Sequence, residues 1–312
     1  MRYRTLGGSD LSVSVVGLGC NQFGRRVDAD GARAIVDAAL DDSINFFDTA
    51  DIYGRPRGAS EEYLGAALKG RRDDVIVATK FGMDMFGANG PDDGARGRPG
   101  YIQRAVEASL RRLGTDYIDL YQMHEPDPDT PIGDTLAALD ELVRAGKVRY
   151  LGNSNFAGWQ LADADWTART GHLAPFVSAQ NLYSLVARDV EKEVVPACRH
   201  FGLGLLPYFP LASGLLTGKY HRGEAAPENT RLAQAEYAQR LANAPWDRLA
   251  ALEAYARARG LRLLDVAIGG LAAKPAVTSV IAGATSPDQV ASNVTAGQWQ
   301  PTPDDLAELD GI

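Results

Sequence analysis

Short apolar runs recur along the chain, with amphipathic stretches between them. Eight runs read as strands: residues 15–19, 45–47, 75–79, 117–123, 148–152, 176–180, 203–208 and 279–282. Most are rich in Val, Ile, Leu and Phe on both faces, as parallel strands covered by helices require. Helical spacing fills the gaps. It places Ala34, Ile35, Ala38 and Ala39 together in 31–41, and Ile102, Ala105, Val106, Leu110 and Leu113 in 101–113. It does the same for Leu136, Leu139, Leu142 and Val143 in 132–145, where Thr130-Pro131 suits the entry and Gly146 the exit. Repeated β-α units imply a parallel sheet with helical crossovers. Eight strands in 312 residues favour an α/β fold of the closed (β/α)8 type, a TIM barrel, as one domain over 1–312. A short hairpin is expected around Gly7-Gly8, ahead of the first strand.

Two segments break the rhythm, 84–100 and 210–245, both rich in turn residues. Each follows a strand, which puts both on the C-terminal face, where barrel sites are built, and substrate lids are expected there. Trp166, Phe201 and Trp299 fall in helical patterns and are expected in the core.

Charge narrows the function. A formal net charge of −8 gives no broad basic face for nucleic acid or an anionic membrane, though a local phosphate patch remains open. Cys20 and Cys198 are too few for a disulfide framework and have no metal-ligand spacing, so no metal is expected. The polar start and the lack of an 18-residue apolar run lead us to expect a cytoplasmic protein.

Candidate chemistry sits at strand ends. The stretches D-T-A-D-I-Y-G, A-T-K-F-G and Y-Q-M-H-E-P supply Asp48, Tyr53, Lys80 and His124. Singly, each has a bland reading: a turn cap, a solvated lysine, a satisfied histidine. A closed barrel would bring all four to one rim. A tyrosine, with a pKa of about 10, is a poor proton donor near neutrality unless its anion is stabilised. A nearby ammonium would lower that value, a carboxylate would hold the ammonium, and a histidine could orient a carbonyl oxygen. No activated nucleophile accompanies them, so the electrons must come from a hydride-donating cofactor. The usual nucleotide motifs are missing. Gly17-Leu18-Gly19 is followed by Gln22 where a third Gly is needed, and Gly214 to Lys219 is one residue short of a P-loop.

These motifs, with G-K-V-R-Y-L-G-N-S-N-F, Q-N-L-Y-S-L, Y-F-P-L-A-S-G-L-L-T-G-K-Y and I-A-G-A-T-S-P-D-Q-V-A-S-N, run nearly the whole length of the chain. Through them it resembles the aldo-keto reductases, closer to bacterial oxidoreductases and potassium-channel beta subunits than to the aldose-reductase branch. The resemblance implies a (β/α)8 barrel that uses a nicotinamide cofactor, NADPH or alternatively NADH, to reduce an aldehyde or ketone. It implies Tyr53 as general acid, Lys80 and Asp48 as its tuning pair, and His124 as the group orienting the carbonyl. Ser154, Asn155 and Gln180 would hold the nicotinamide carboxamide, and Tyr208 would stack on the ring. Pro210, Leu211, Ala212 and Ser213 would run beside the pyrophosphate, with Lys219 meeting its charge. Gly283, Thr285, Gln289 and Asn293 would surround the adenosine, beside a helix starting at Ser286-Pro287. Cys20, Asn21, Phe209, Gly214 and Ala282 complete the implied cofactor set.

Departures from the family pattern matter. Relatives often carry Lys or Arg near 283, 285 or 289 for the 2′-phosphate of NADPH, whereas here Gly283, Thr285 and Gln289 stand there. Arg231 could reach over from the long loop instead. Asn153 replaces an apolar residue or Cys, and Phe209 replaces a common Ser. The pocket is expected to draw on Phe23, Tyr53, Phe81, Met83, Phe86, Glu125 and Phe156. The expected partner is a small carbonyl substrate, and the chain is expected as a monomer or small homo-oligomer. The same scaffold also serves as a cofactor-sensing regulatory subunit in the channel branch, which is the alternative reading.

Overall fold

Residues 1–92, 94–228 and 230–312 are described in a computed structural model, with Glu236 described by its backbone alone. Asp93 and Asn229, inside the two segments expected as lids, lie outside the described residues. An antiparallel hairpin, β1 (Tyr3–Thr5) and β2 (Ser12–Ser14), opens the chain. Strand and helix then alternate: β3 (Val16–Gly19), α1 (Ala29–Asp41), β4 (Phe46–Asp48), α2 (Ala59–Ala67), β5 (Ile76–Phe81), α3 (Pro99–Leu113) and β6 (Ile118–Met123). The pattern continues through α4 (Ile132–Arg144), β7 (Val148–Ser154), α5 (Gly158–Gly171), β8 (Phe176–Leu182), α6 (Val194–Phe201) and β9 (Gly204–Tyr208). After α7 (Ala238–Ala242), α8 (Trp246–Ala258) and a short α9 (Leu263–Asp265) come β10 (Val280–Gly283), α10 (Pro287–Ala296) and α11 (Pro303–Gly311).

Strands β3 to β10 form one parallel sheet in the order β10-β3-β4-β5-β6-β7-β8-β9. The sheet curls shut: the Leu205 N–H donates to the Ala276 carbonyl at 2.8 Å and the Thr278 N–H to the Leu205 carbonyl at 2.9 Å. The (β/α)8 barrel is thus closed as the apolar runs predict. Every residue of β5 and β6 is buried, because each strand faces the barrel interior on one side and helices on the other. The hairpin forms the floor. Leu6, Leu11 and Val13 pack under Phe46, Ile76, Leu120, Leu206 and Ile281. Gly7 makes this turn possible. Its φ is +51°, and a Cβ there would lie 2.0 Å from the Val177 carbonyl oxygen.

Some expectations need correction. Helix α1 starts earlier than its apolar spacing suggests, because Asp28 caps it by accepting from the Gly31 N–H at 2.8 Å. Thr130 does not cap α4; its hydroxyl donates to Asp127 instead. Trp166 lies on the outer face of α5 and is 70 % exposed, since α5 turns its small and aliphatic residues inward. Trp299 follows α10 rather than lying in a helix, and packs half-buried against Gly269 and Tyr255. Phe201 is half-buried at the end of α6. The segment 210–245 carries short helical turns, and its Leu215, Leu216, Tyr220 and Leu232 bury with Leu249 and Leu252 of α8 in a second core.

Candidate active site

Parallel register carries the candidate residues to one end of the barrel. Asp48 is the last residue of β4, Lys80 the last but one of β5, and His124 follows directly on β6. Across the sheet Lys80 pairs with Gln122, and Ser154 with Gln180. The loop from β4 to α2 brings Tyr53 over them. Its carbonyl accepts from the Gly58 and Ser60 N–H groups at 3.1 and 3.2 Å, so the start of α2 holds it in place.

A buried ion pair lies at the centre. Lys80 Nζ donates to Asp48 Oδ2 at 2.6 Å and to the Thr49 carbonyl at 2.8 Å, and the lysine side chain is 0 % exposed. The other oxygen, Asp48 Oδ1, accepts from Gln180 Nε2 at 2.8 Å and Gln122 Nε2 at 3.2 Å. The ammonium is 5.3 Å from the Tyr53 ring centroid. The His124 ring stands edge-on to Tyr53, with centroids 5.8 Å apart.

The protonation states follow from this packing. Burial raises the Tyr53 phenol above its ordinary value, and Lys80 pulls it back without reversing it. The net lowering expected from the lysine is therefore not found, because loss of water outweighs the nearby charge. Burial by itself would lower Lys80, but Asp48 and Tyr53 raise it past its ordinary value, so it stays charged. Burial, helped by Lys80, holds His124 well below the usual imidazole range, so it is neutral. Its Nδ1 has no hydrogen-bond partner among the described residues. The site thus offers a protonated phenol, a fixed cation behind it and a neutral imidazole beside it.

On the next side of the rim, Asn155 Nδ2 donates to the His124 carbonyl at 3.0 Å and to Ser154 Oγ at 3.2 Å. The Tyr208 hydroxyl donates to Asn155 Oδ1 at 2.7 Å. Phe209, Ala212 and Ser213 all take left-handed backbone, with φ of +51°, +48° and +62°, so the chain turns sharply between Tyr208 and Gly214, through Pro210 and Leu211. Arg240 donates to Ser213 Oγ at 2.9 Å, and the Arg231 guanidinium lies 5.6 Å from the Phe209 ring centroid. Burial, and then the neighbouring Arg26, Arg25 and Arg240 charges, lower Arg231, while Tyr237 opposes them. Lys219 is exposed and lies near the Tyr220 ring.

The remaining expected residues divide by burial. Ser286 caps α10, as expected, and Gln289 Oε1 accepts from the Thr285 N–H at 2.9 Å. Asn21 lies close to Gly283, while Ala282 and Asn293 are buried. Cys20 is fully buried, so its side chain faces the core. Phe23 and Phe81, expected in the pocket wall, are also 0 % exposed, and Phe81 stacks on Tyr121 behind the rim. Asn153 is buried too; its Nδ2 donates to the Ser178 carbonyl at 3.1 Å. Gln122 was not singled out in the sequence. Period-two alternation on Leu120, Gln122 and His124 would have placed it inside the barrel.

A cavity of about 510 Å³ opens beside Tyr53, lined also by Ile52, Met83, Arg25, Arg55 and Arg57. These three arginines had no sequence signal beyond their own charge.

Comparison with known proteins agrees with this geometry. The description Aldo/keto reductase family matches residues 15–312. An uncharacterized oxidoreductase of Bacillus subtilis, YrpG, is 39% identical over 95% of this chain and 91% of its own length. A probable voltage-gated potassium channel subunit beta of Arabidopsis thaliana is 36% identical over 95% of this chain and 91% of its own. L-glyceraldehyde 3-phosphate reductase of Escherichia coli K12 is 33% identical over 95% and 87%. A closed (β/α)8 barrel, a rim of Asp, Tyr, Lys and His, and a match over almost every residue lead to one conclusion: the chain belongs to the aldo/keto reductase family.

Proposed function

We propose that this protein reduces an aldehyde or ketone to an alcohol, with NADPH as the hydride source and Tyr53 as the proton donor. The observation that carries this is the buried Lys80–Asp48 pair beside Tyr53, with neutral His124 edge-on to the same ring. The Tyr53 hydroxyl passes its proton to the carbonyl oxygen. Lys80, held in its charged form by Asp48, stabilises the phenolate left behind. His124 aims the carbonyl oxygen at Tyr53 by a hydrogen bond.

The residues present fit a nicotinamide nucleotide. Ser154 and Asn155 stand next to His124 with amide and hydroxyl groups for a carboxamide, Gln180 adds its own while bonded to Asp48, and Tyr208 offers a flat ring. Arg231, Arg240 and Lys219 gather positive charge on the long loop, and the capped N-terminus of α10 follows β10. The chemistry that a bound nicotinamide supplies is a hydride for the carbonyl carbon. Arg231 takes the 2′-phosphate in this reading, in place of the missing bases at 283, 285 and 289.

Parallel fluorescence titration with NADPH and NADH tests the cofactor. Tight NADPH and weak NADH binding is expected; an NADH preference would move the assignment to the other nucleotide. Tyr53→Phe tests the chemistry. Turnover of a simple aldehyde should fall by roughly 10²–10⁴-fold with cofactor binding retained. Undiminished turnover in that variant would sink the role given to Tyr53. A regulatory subunit is the second reading, favoured by the Arabidopsis relative. Its mark would be a stoichiometric protein partner in a pull-down from the native host.

A further inference from the structure

We propose that the pocket beside Tyr53 selects carbonyl compounds bearing a phosphate monoester, held by Arg25, Arg55 and Arg57. This rests on the reductase reading and adds the substrate class. The cavity of about 510 Å³ carries Tyr53, Ile52 and Met83 on its lining together with these three arginines, and no acidic residue among the described ones. In a chain of net charge −8, such a concentration of unopposed positive charge is notable. Among the described residues none of the three has a carboxylate partner, whereas Arg71, Arg72, Arg96 and Arg112 nearby in the sequence all do.

The three are built into one mouth. The loop bearing Arg25 and the loop bearing Arg55 and Arg57 close on each other through Gly24 and Gly54. The Arg55 N–H donates to the Gly24 carbonyl at 2.8 Å. A Cβ on Gly24, where φ is +71°, would lie 2.7 Å from Ala59 Cβ and 3.2 Å from Gly54 Cα, so only glycine lets the loops meet. The Arg57 guanidinium lies 4.2 Å from the Phe86 ring centroid. That aromatic face restrains the fork while leaving its N–H donors free for an anion.

Charge decides between anions. A phosphate monoester carries about −1.5 to −2 near neutrality and has three acceptor oxygens, which suits two or three guanidinium forks. A carboxylate carries one charge and would compensate less of the positive charge than a phosphate does. The cavity lies within the roughly 300–1,000 Å³ of small-ligand sites, and the reacting carbonyl would sit at its Tyr53 end.

The test compares kcat/KM for glycolaldehyde phosphate, succinic semialdehyde and glycolaldehyde with NADPH. The phosphate should exceed glycolaldehyde by about tenfold or more, the scale of a charge-assisted contact, with the carboxylate between them. In R55A/R57A the ratio of phosphate to neutral substrate should fall towards one. An unchanged ratio, or a wild-type preference for the neutral or carboxylate compound, would overturn the proposal. A binding arm separates this from the reductase reading: calorimetric titration of both proteins with glycerol 3-phosphate. Binding weakened about tenfold or more by R55A/R57A, without turnover of any aldehyde, would keep the anion site and remove the reductase reading. Absent binding, or equal binding to both proteins, would remove the anion site.

Discussion

Two groups of cations share the C-terminal face of this barrel and are treated in opposite ways. Lys80 is wholly buried, bonded to Asp48 at 2.6 Å, and backed by Gln180 and Gln122 on the same carboxylate. Arg25, Arg55 and Arg57 stand at a cavity mouth, and Arg231 on the long loop, with no carboxylate partner among the described residues. A buried ion pair is held at one geometry by its surroundings, because neither partner can leave without stranding the other charge. Unpaired guanidinium groups at a surface keep their capacity for an incoming anion. The first arrangement suits chemistry that is the same for every carbonyl. The second suits recognition of an anion.

Breaking the buried pair should have the largest effect. Lys80→Met leaves Asp48 buried without its counter-ion, and unfolding by denaturant should show a loss of about 3–5 kcal/mol. A loss comparable to that of a surface lysine would mean the pair is not closed in solution. Arg231→Ala is next. It should weaken NADPH by about tenfold, the scale of one charged contact, with NADH little changed in the same titration. Equal losses for both nucleotides would place Arg231 on a part they share. Acid gives a smaller effect with a defined sign. His124 is held below its ordinary value, so the unfolded chain takes the proton first as pH falls. Stability should be whole above about 6.5 and decline below it, and His124→Asn should flatten that slope in denaturant titrations. Trp166→Ala should do least. The side chain is 70 % exposed, so its cost should stay within about 0.5 kcal/mol, as for other surface changes.

Much of this architecture is legible without coordinates. Runs such as I-V-A-T-K-F and I-D-L-Y-Q-M are apolar enough on both faces to require cover from helices, and eight of them separated by helical spacing admit few topologies. Such runs end at or next to Asp48, Lys80 and His124, so a closed barrel places those residues at one end. Local chemistry sets these features: strand alternation, helix spacing and the residue at the strand end do not depend on distant neighbours. Gly146, beyond the end of α4, and Ser286, at the start of α10, follow the same rule.

Tertiary structure alone decided the rest. Burial, a sum over distant neighbours, raised Tyr53 where the lysine alone suggested lowering, and made His124 neutral. It put Trp166 outside although its spacing was helical, because which side of α5 faces the sheet depends on what packs there. Gln122 and Gln180 meet on Asp48 although they lie 74 and 132 residues from it. The three pocket arginines gather because two loops touch through Gly24 and Gly54. The sequence by itself determined the β-α pattern through its periodicity, and the motifs at the strand ends, with the family resemblance they carry, named the rim residues. Their charge states and the pocket they face were decided only by the closed structure, because desolvation and convergence are properties of the packed whole.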